Sequence, residues 1–336
     1  MTRERTSQVV VNGRFLARRV TGVERYGREI LRCLEGRLGF ESTSWQGWRG
    51  HAWEQFILPG RLHQNSVLWS PANTGPLIVR RQVLTIHDLS PLEHPYWFRT
   101  GFAAWYRLFL PILVQRVQTI FTPSEYVNQK VLKRFGARKV IVTPNGVDHA
   151  LFHPCAKQTR FDLPKDYVLF VGTLEPRKNL ERLLQAWREI KGDFKDIWLI
   201  IVGVSGSVFK SINVSHEMER VCFLGYVDDE TLAGLYANAS LFVLPSQDEG
   251  FGLPALEAMA SGAPVIVSDG GALPEVTGEA GMTFCLSDQK ALTNVLEACL
   301  SDAGLRAELR EKGLERAKRF SWQTTAEIVW KSLHEL

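Results

Sequence analysis

Along this chain, short runs of β-branched and aromatic residues alternate with longer stretches whose apolar positions recur every three or four residues. In the first half the pattern predicts strands at Gln8–Asn12, Val67–Ser70, Gln82–Ile86, Thr119–Thr122 and Val140–Thr143, and helices at Gly22–Glu35, Thr100–Val117 and Ser124–Phe135. In the second half it predicts strands at Tyr167–Val171, Trp198–Val202, Val221–Leu224, Leu241–Leu244, Pro264–Ser268 and Gly281–Phe284. Helices are predicted there at Asn179–Ile190, Asp229–Ala237, Pro254–Ser261, Gln289–Ser301 and Gly304–Arg319. Strands alternating with helices imply an α/β fold with parallel sheets. The polar, proline-containing break from Phe152 to Lys157 predicts a domain boundary, giving a first domain over 1–155 and a second over 156–319. A last helix, over 320–336 and capped by Ser321, is expected to pack back on the first domain.

A length of 336 residues is comfortable for two domains. Met1–Gln8 is polar and no apolar run is long enough to span a bilayer, so a cytoplasmic location is expected. The five cysteines are scattered and form no CxxC pair, which argues against a disulfide framework or a zinc site. Charge is uneven. Residues 1–155 carry 21 Lys and Arg against 10 Asp and Glu, while 156–336 carry 19 against 26. The basic half suits an anionic surface such as a membrane, a lipid diphosphate or a nucleic acid. Its arginines are dispersed without a binding-module signature, so no nucleic-acid partner is expected. A nicotinamide dehydrogenase is disfavoured because the first strand leads into Gly13-Arg14-Phe15 rather than a GxGxxG turn.

The densest chemistry lies between Leu244 and Ser268, in LPSQDEGFGLPALEAMASGAPVIVS. A strand ends at Pro245, and a loop carries Asp248, Glu249, Gly250, Phe251 and Gly252. A helix then opens near Leu253, with Pro254 where its missing N–H costs nothing. Free N–H groups at such a helix start, with glycines that let backbone approach closely, can hold hydroxyls or phosphate. Glu257, two turns further on, can accept two hydrogen bonds from a ribose diol, as an acidic residue does in dinucleotide folds. A second run, from Val168 to Asn179, ends a strand at Gly172 and places Arg177 and Lys178 at a helix entry. Cations there oppose the helix dipole and make sense beside a diphosphate.

GTLEPRKNL (172–180), FLGYV (223–227), the run from Leu244 to Ser268 and GGALPEV (270–276) together resemble glycosyltransferase family 4. The resemblance implies the GT-B fold, two facing Rossmann-like domains with the donor held mainly by the second. It implies that Arg177 and Lys178 grip the donor diphosphate beside Gly172, and that Glu257 holds the ribose. Glu249, with the amides of Gly250, Phe251, Gly252 and Leu253, would approach the transferred sugar, and backbone at Tyr226 and Val227 would meet the base. In the first half, the resemblance makes His87 a contact to the donor sugar, with Asp88 orienting it or the acceptor. Gly22, at a helix start, is either a plain turn glycine or a place where diphosphate or sugar sits. Both residues of the His87-Asp88 pair follow a strand end, where α/β ligands gather.

The resemblance also implies retention of anomeric configuration through an oxocarbenium-like, front-face substitution, with Arg177, Lys178 and helix dipoles stabilising the departing diphosphate. No DxD motif is present, and Asp228-Asp229-Glu230 reads as first-turn helix acid. The resemblance implies that no metal is needed, and no cofactor beyond the nucleotide sugar is expected. The opening segment and HDLSPLEHP (87–95) look most like mannosyltransferases of bacterial polysaccharide assembly. GDP-mannose is therefore the expected donor, with UDP-hexoses and dTDP-rhamnose left open. The implied acceptor is a glycan on a lipid diphosphate. The aromatic, arginine-bearing stretch Tyr96–Gln118 fits either a core helix or a membrane headgroup zone.

Overall fold

The computed structural model describes residues 9–136, 139–156, 161, 163–205, 208 and 219–336. The chain divides into two compact units. The first takes the chain up to Glu93, Ala103–Gly146 and Ser321–Leu336; the second takes His94–Phe102 and Val147–Phe320.

The first unit is built on six parallel strands: β1 (Val9–Asn12), β2 (Gly39–Glu41), β3 (Val67–Ser70), β4 (Gln82–Thr85), β5 (Thr119–Thr122) and β6 (Lys139–Val142). Their spatial order is β2-β1-β3-β4-β5-β6. Every residue of β1, β3, β4 and β5 is buried, as in a parallel sheet covered on both faces. The first predicted strand begins at Val9; Gln8 lies outside the described residues. Strand β2 is not in the sequence expectation, because Gly39-Phe40-Glu41 carries one apolar residue and Phe40 is exposed. Pairing with Val10–Asn12 makes it a strand. A helical stretch from Gly47 to Arg61, part of it π-helical, also escapes the pattern, since Gly47, Gly50 and Pro59 obscure its period.

The Gly22–Cys33 helix opens with a capping box between Thr21 and Glu24. The Thr100–Arg116 helix buries Ala103, Tyr106, Phe109, Leu110, Leu113 and Val114. Its other face exposes Leu108 and Ile112 beside exposed Arg107 and Arg116. The Trp322–His334 helix is part of this unit: Trp322 meets Tyr26 edge-on at 6.2 Å, and Thr325 Oγ1 donates to Pro144 O. The crossing demands glycine at 146, where a Cβ would fall 2.1 Å from Trp322 N.

The second unit also has six parallel strands: β7 (Tyr167–Val171), β8 (Trp198–Val202), β9 (Val221–Gly225), β10 (Leu241–Leu244), β11 (Val265–Ser268) and β12 (Gly281–Phe284). Their order is β12-β11-β10-β7-β8-β9. Alternate residues of β7 and β8 (Val168, Phe170, Leu199, Ile201) pack with Leu183, Trp187 and Ile190 of the Leu180–Ile190 helix in one buried cluster. Asp228 caps the Asp229–Asn238 helix through the Thr231 N–H at 2.8 Å, so that acidic run serves a helix start.

The chain passes between units at Gly146–Val147 rather than at the polar break, because Phe152 is buried against Tyr236 and Val147 N–H donates to Phe320 O at 3.4 Å. His94–Phe102 joins the second unit as well, where Arg99 N–H donates to Val208 O at 2.9 Å. No helix among the described residues is long and apolar enough to cross a membrane.

In each sheet the chain reverses direction of travel beside its first strand, between β1 and β3 in one unit and between β7 and β10 in the other. Ligands of open α/β sheets gather in the crevice beyond the carboxyl ends of strands at such a point.

Candidate active site

Beyond the carboxyl end of β7 the chain runs Gly172 to Asn179; beyond β10 it runs Pro245 to Gly252. The first loop is held against the end of β8, and two hydrogen bonds join it to the second. Gly172 lies so close to Gly203 that a Cβ at 203 would fall 1.8 Å from Gly172 O. Asn179, in the left-handed region at φ 55°, donates from Nδ2 to Pro245 O at 3.1 Å. Gln247 N–H then donates to Arg177 O at 2.7 Å, which fixes the register of the loops.

The side chains they carry form one ionic group. Arg177 Nη1 donates to Glu249 Oε2 at 2.8 Å and to Asp248 O at 2.9 Å, while Lys178 Nζ donates to Glu249 Oε1 at 2.5 Å. The far side of the Arg177 guanidinium is held by Glu175, with Nε at 3.1 Å and Nη2 at 2.9 Å from Oε1. Glu175, Lys178 and Glu249 are all buried. Two carboxylates and two cations balance. Burial alone raises the Glu249 carboxyl, but the charges of Arg177 and Lys178 and the hydrogen bond from Lys178 outweigh it and hold it at about 2. Glu175 goes the other way. Burial lifts its carboxyl above the usual range against the pull of Arg177 and Lys178, and its Oε2 is buried without a hydrogen bond.

The backbone of Glu249 is gripped by the glycines of GGALPEV. A Cβ at Gly271 would fall 2.3 Å from Glu249 N and O, one at Gly270 would fall 2.5 Å from Ser246 O, and Ala272 N–H donates to Glu249 O at 2.8 Å. Gly252, at φ 97°, then turns the chain into the Leu253–Ala260 helix. Glu257 on that helix is buried, and Tyr236 Oη donates to its Oε2 at 3.3 Å. A carboxylate on a helix with no exposed residue is there for something other than solvation. Gly250 and Leu253 are buried, and the Phe251 ring meets Phe320 edge-on at 5.7 Å, which leaves the backbone of 250–253 as the part able to meet a ligand. Tyr226 (exposed) and Val227 (buried) follow β9, two strands from β7. Beside the ionic group a cleft of about 350 Å³ opens, lined by His94, Trp97, Asn179, Arg182, Gln247 and Leu286.

Three sequence candidates lie in the first unit. His87 follows β4 and is buried; its Nε2–H donates to Pro71 O at 2.8 Å, and Tyr26 meets the ring edge-on at 5.0 Å. Burial pushes the imidazole below its ordinary value, against hydrogen bonding to Pro71 and the charges of Asp88 and Glu24, so it is neutral at pH 7. Asp88 does not bond to the ring. Its Oδ1 accepts the Ser90 N–H at 2.9 Å and starts the short Ser90–Glu93 helix. Gly22 is exposed and a Cβ there would meet nothing within 4 Å, so no close approach requires a glycine.

Two functional-looking features carry no role in the sequence reading. One is Glu175, which sits inside GTLEPRKNL and reveals itself only when its contact with Arg177 is seen. The other is a buried polar cluster at the β1/β3 reversal. Glu54 Oε1 accepts from Asn12 Nδ2 at 2.7 Å, Arg14 Nε at 3.1 Å and Thr74 Oγ1 at 3.1 Å, joining positions up to 62 apart in sequence.

The chain matches the family profile described as "Glycosyl transferases group 1" over residues 155–316 and that of "Glycosyltransferase Family 4" over residues 61–151. It is 31% identical over 261 residues to O-antigen chain mannosyltransferase B of Escherichia coli, covering 74% of this chain and 68% of that one. It is 28% identical over 267 residues to the serotype-specific mannosyltransferase WbdA of Escherichia coli, spanning about a third (33%) of that longer protein. Among solved structures, HepE of Anabaena in complex with UDP and glucose superposes with a TM-score of 0.76 at 17% identity, over 98% of this chain and 100% of that one, a likeness of fold. Two six-stranded parallel α/β units with these matches place the chain in the GT-B class: it belongs to glycosyltransferase family 4 and is a retaining hexosyltransferase.

Proposed function

We propose that this enzyme transfers mannose from GDP-mannose to a lipid-diphosphate-linked glycan in cell-surface polysaccharide assembly. The observation that carries the reading is the Arg177–Lys178–Glu249 group, with Lys178 and Glu249 buried, at the β7/β10 reversal. Two cations fixed by a carboxylate suit a departing diphosphate, and the carboxylate between them suits the hydroxyls of the transferred sugar. Glu257 takes the ribose diol, the amides of Gly250 to Leu253 meet sugar or phosphate, and backbone at Tyr226 and Val227 meets the base. His87 meets the donor sugar through Nδ1, since Nε2 is committed to Pro71. In this reading the second unit is the donor domain, the first receives the acceptor, and cations of the chain do the work that a metal does elsewhere. The choice of mannose rests on likeness to the Escherichia coli O-antigen mannosyltransferase; the likeness to HepE, solved with UDP and glucose, keeps a UDP-hexose as the rival.

Calorimetric titration with GDP, UDP, dTDP, ADP and NADH, without added metal, tests this. GDP is expected to bind at least about tenfold more tightly than the others, a difference of about 1.4 kcal/mol. In Glu257→Ala, loss of two charge-assisted hydrogen bonds to ribose weakens GDP by about 10- to 100-fold with the fold intact. UDP as the preferred nucleotide overturns the mannose assignment; NADH alone overturns glycosyl transfer at this site.

The acceptor side of the proposal includes contact with an anionic membrane through the exposed face of the Thr100–Arg116 helix, where Leu108 and Ile112 lie one turn apart between Arg107 and Arg116. Flotation with vesicles containing anionic phosphatidylglycerol is expected to carry the wild-type protein and to lose Leu108→Asp/Ile112→Asp. Equal flotation of both proteins removes this face from the membrane.

A further inference from the structure

Exposed tryptophan is unusual, and the first unit places two of its tryptophans beside the β1/β3 reversal: Trp45 is 48% exposed and Trp48 is 64% exposed. The backbone holds them there. A Cβ at Gly50 would fall 2.7 Å from Trp45 O and 3.5 Å from Arg14 Cδ, so the Gly47–Ala52 helix is pressed onto the side chain that leaves the end of β1. One turn below Trp48 is His51. Its ring lies 5.8 Å from Trp48 and 4.3 Å from Trp105, and Trp105 stacks on Phe109 at 4.5 Å and 15°.

Beneath this aromatic wall lies an unfinished polar arrangement. Glu54 is fully buried, and all its hydrogen bonds fall on Oε1. Oε2 has no hydrogen bond and faces His51 Nδ1 at 3.7 Å, which is likewise buried without one. The Glu54 carboxylate, paired with Arg14 at 3.1 Å, lies on the Nδ1 side of the ring and leaves Nε2 on the other. His51 Nε2 makes no hydrogen bond among the described residues. Resting on the glycosyl-transfer reading above, we propose that Trp48 and His51 form a saccharide subsite for the acceptor. A pyranose ring stacks its C–H face on Trp48, and one of its hydroxyls bonds to His51 Nε2. A pyranose has an apolar face and a polar rim, and this site pairs an open indole with an oriented imidazole. A lipid chain leaves the imidazole unmatched.

The test uses the full chain labelled with ¹⁵N, watching the indole N–H resonances, with that of Trp48 identified by its loss in Trp48→Phe. Titration with α-linked mannotriose is expected to shift the Trp48 resonance saturably. His51→Ala is expected to weaken that response at least tenfold while leaving GDP affinity within twofold of wild type. An unmoved Trp48 resonance overturns the subsite, as does a response that His51→Ala leaves unchanged. A shift caused by phosphatidylglycerol vesicles and not by mannotriose overturns it in favour of a lipid contact. Mannotriose binding without GDP binding instead leaves the subsite standing and sinks the donor assignment.

Discussion

Replacing Lys178 by alanine is expected to lower turnover by about 10²- to 10³-fold, the effect of removing one preorganised group that meets developing charge. Lys178 is suited to that role because it is buried, its stem lies against Gly172, and its Nζ is already positioned by Glu249. A cation fixed before the reaction costs no reorganisation when the diphosphate departs. The fold should survive, because Glu249 keeps Arg177 at 2.8 Å as a partner, and Arg177 keeps Glu175. Steady-state kinetics with GDP-mannose, together with GDP calorimetry, separates the two contributions. The loss should fall mainly on kcat, with GDP affinity reduced less, because charge on the diphosphate grows toward the transition state. Lys178→Arg should recover part of the loss, since the charge returns with a different reach and donor geometry. A kcat for Lys178→Ala close to wild type would remove this lysine from the leaving-group site.

The sequence carried the strands of both sheets to within a residue or two wherever they are buried on both faces, because such strands are continuous apolar runs bounded by turn residues. It did not carry β2, whose single apolar residue is exposed, nor the helical run from Gly47 to Arg61, whose glycines and proline break the period. The division between units was misplaced for a related reason. Phe152 and Pro154 read as a linker, yet Phe152 is core, and nothing in composition marks His94–Phe102 as belonging with residues far along the chain. Site residues followed the same rule. Arg177, Lys178, Glu249 and Glu257 are singled out by compact motifs, and the structure brings the first three into contact and buries the fourth. Glu54 and Arg14, 40 positions apart, become a pair only through the packing of β1 against the Gly47–Arg61 stretch. The acidic pair at 228–229 shows the converse, where local helix chemistry alone was enough.

Glu249→Gln is expected to uncouple stability, binding and turnover in a way that identifies what the carboxylate does. Breaking a buried ion pair from one side costs about 3–5 kcal/mol. At roughly 2–4 °C per kcal/mol for a unit of this size, the melting temperature should fall by about 6–20 °C at pH 7. The pH dependence has a definite sign. The Glu249 carboxyl is held at about 2, below its ordinary value of 4.5, so its contribution is complete above that ordinary value and is lost as pH falls toward 2. The gap between wild type and variant should therefore stay constant from pH 8 to 5 and narrow only below it. Binding should move the opposite way. In the free enzyme Glu249 occupies Arg177 and Lys178, the same cations proposed for the diphosphate, so the ligand has to draw them from a carboxylate. With glutamine the competitor is gone, and GDP is expected to bind at least as tightly as to wild type and to raise the variant's melting temperature by more. Turnover should nevertheless fall, because the anion that meets the transferred sugar is missing. GDP binding more than tenfold weaker in Glu249→Gln would show that the carboxylate organises the two cations rather than competing for them, and the diphosphate would then have to enter a site in which Glu249 never lets go.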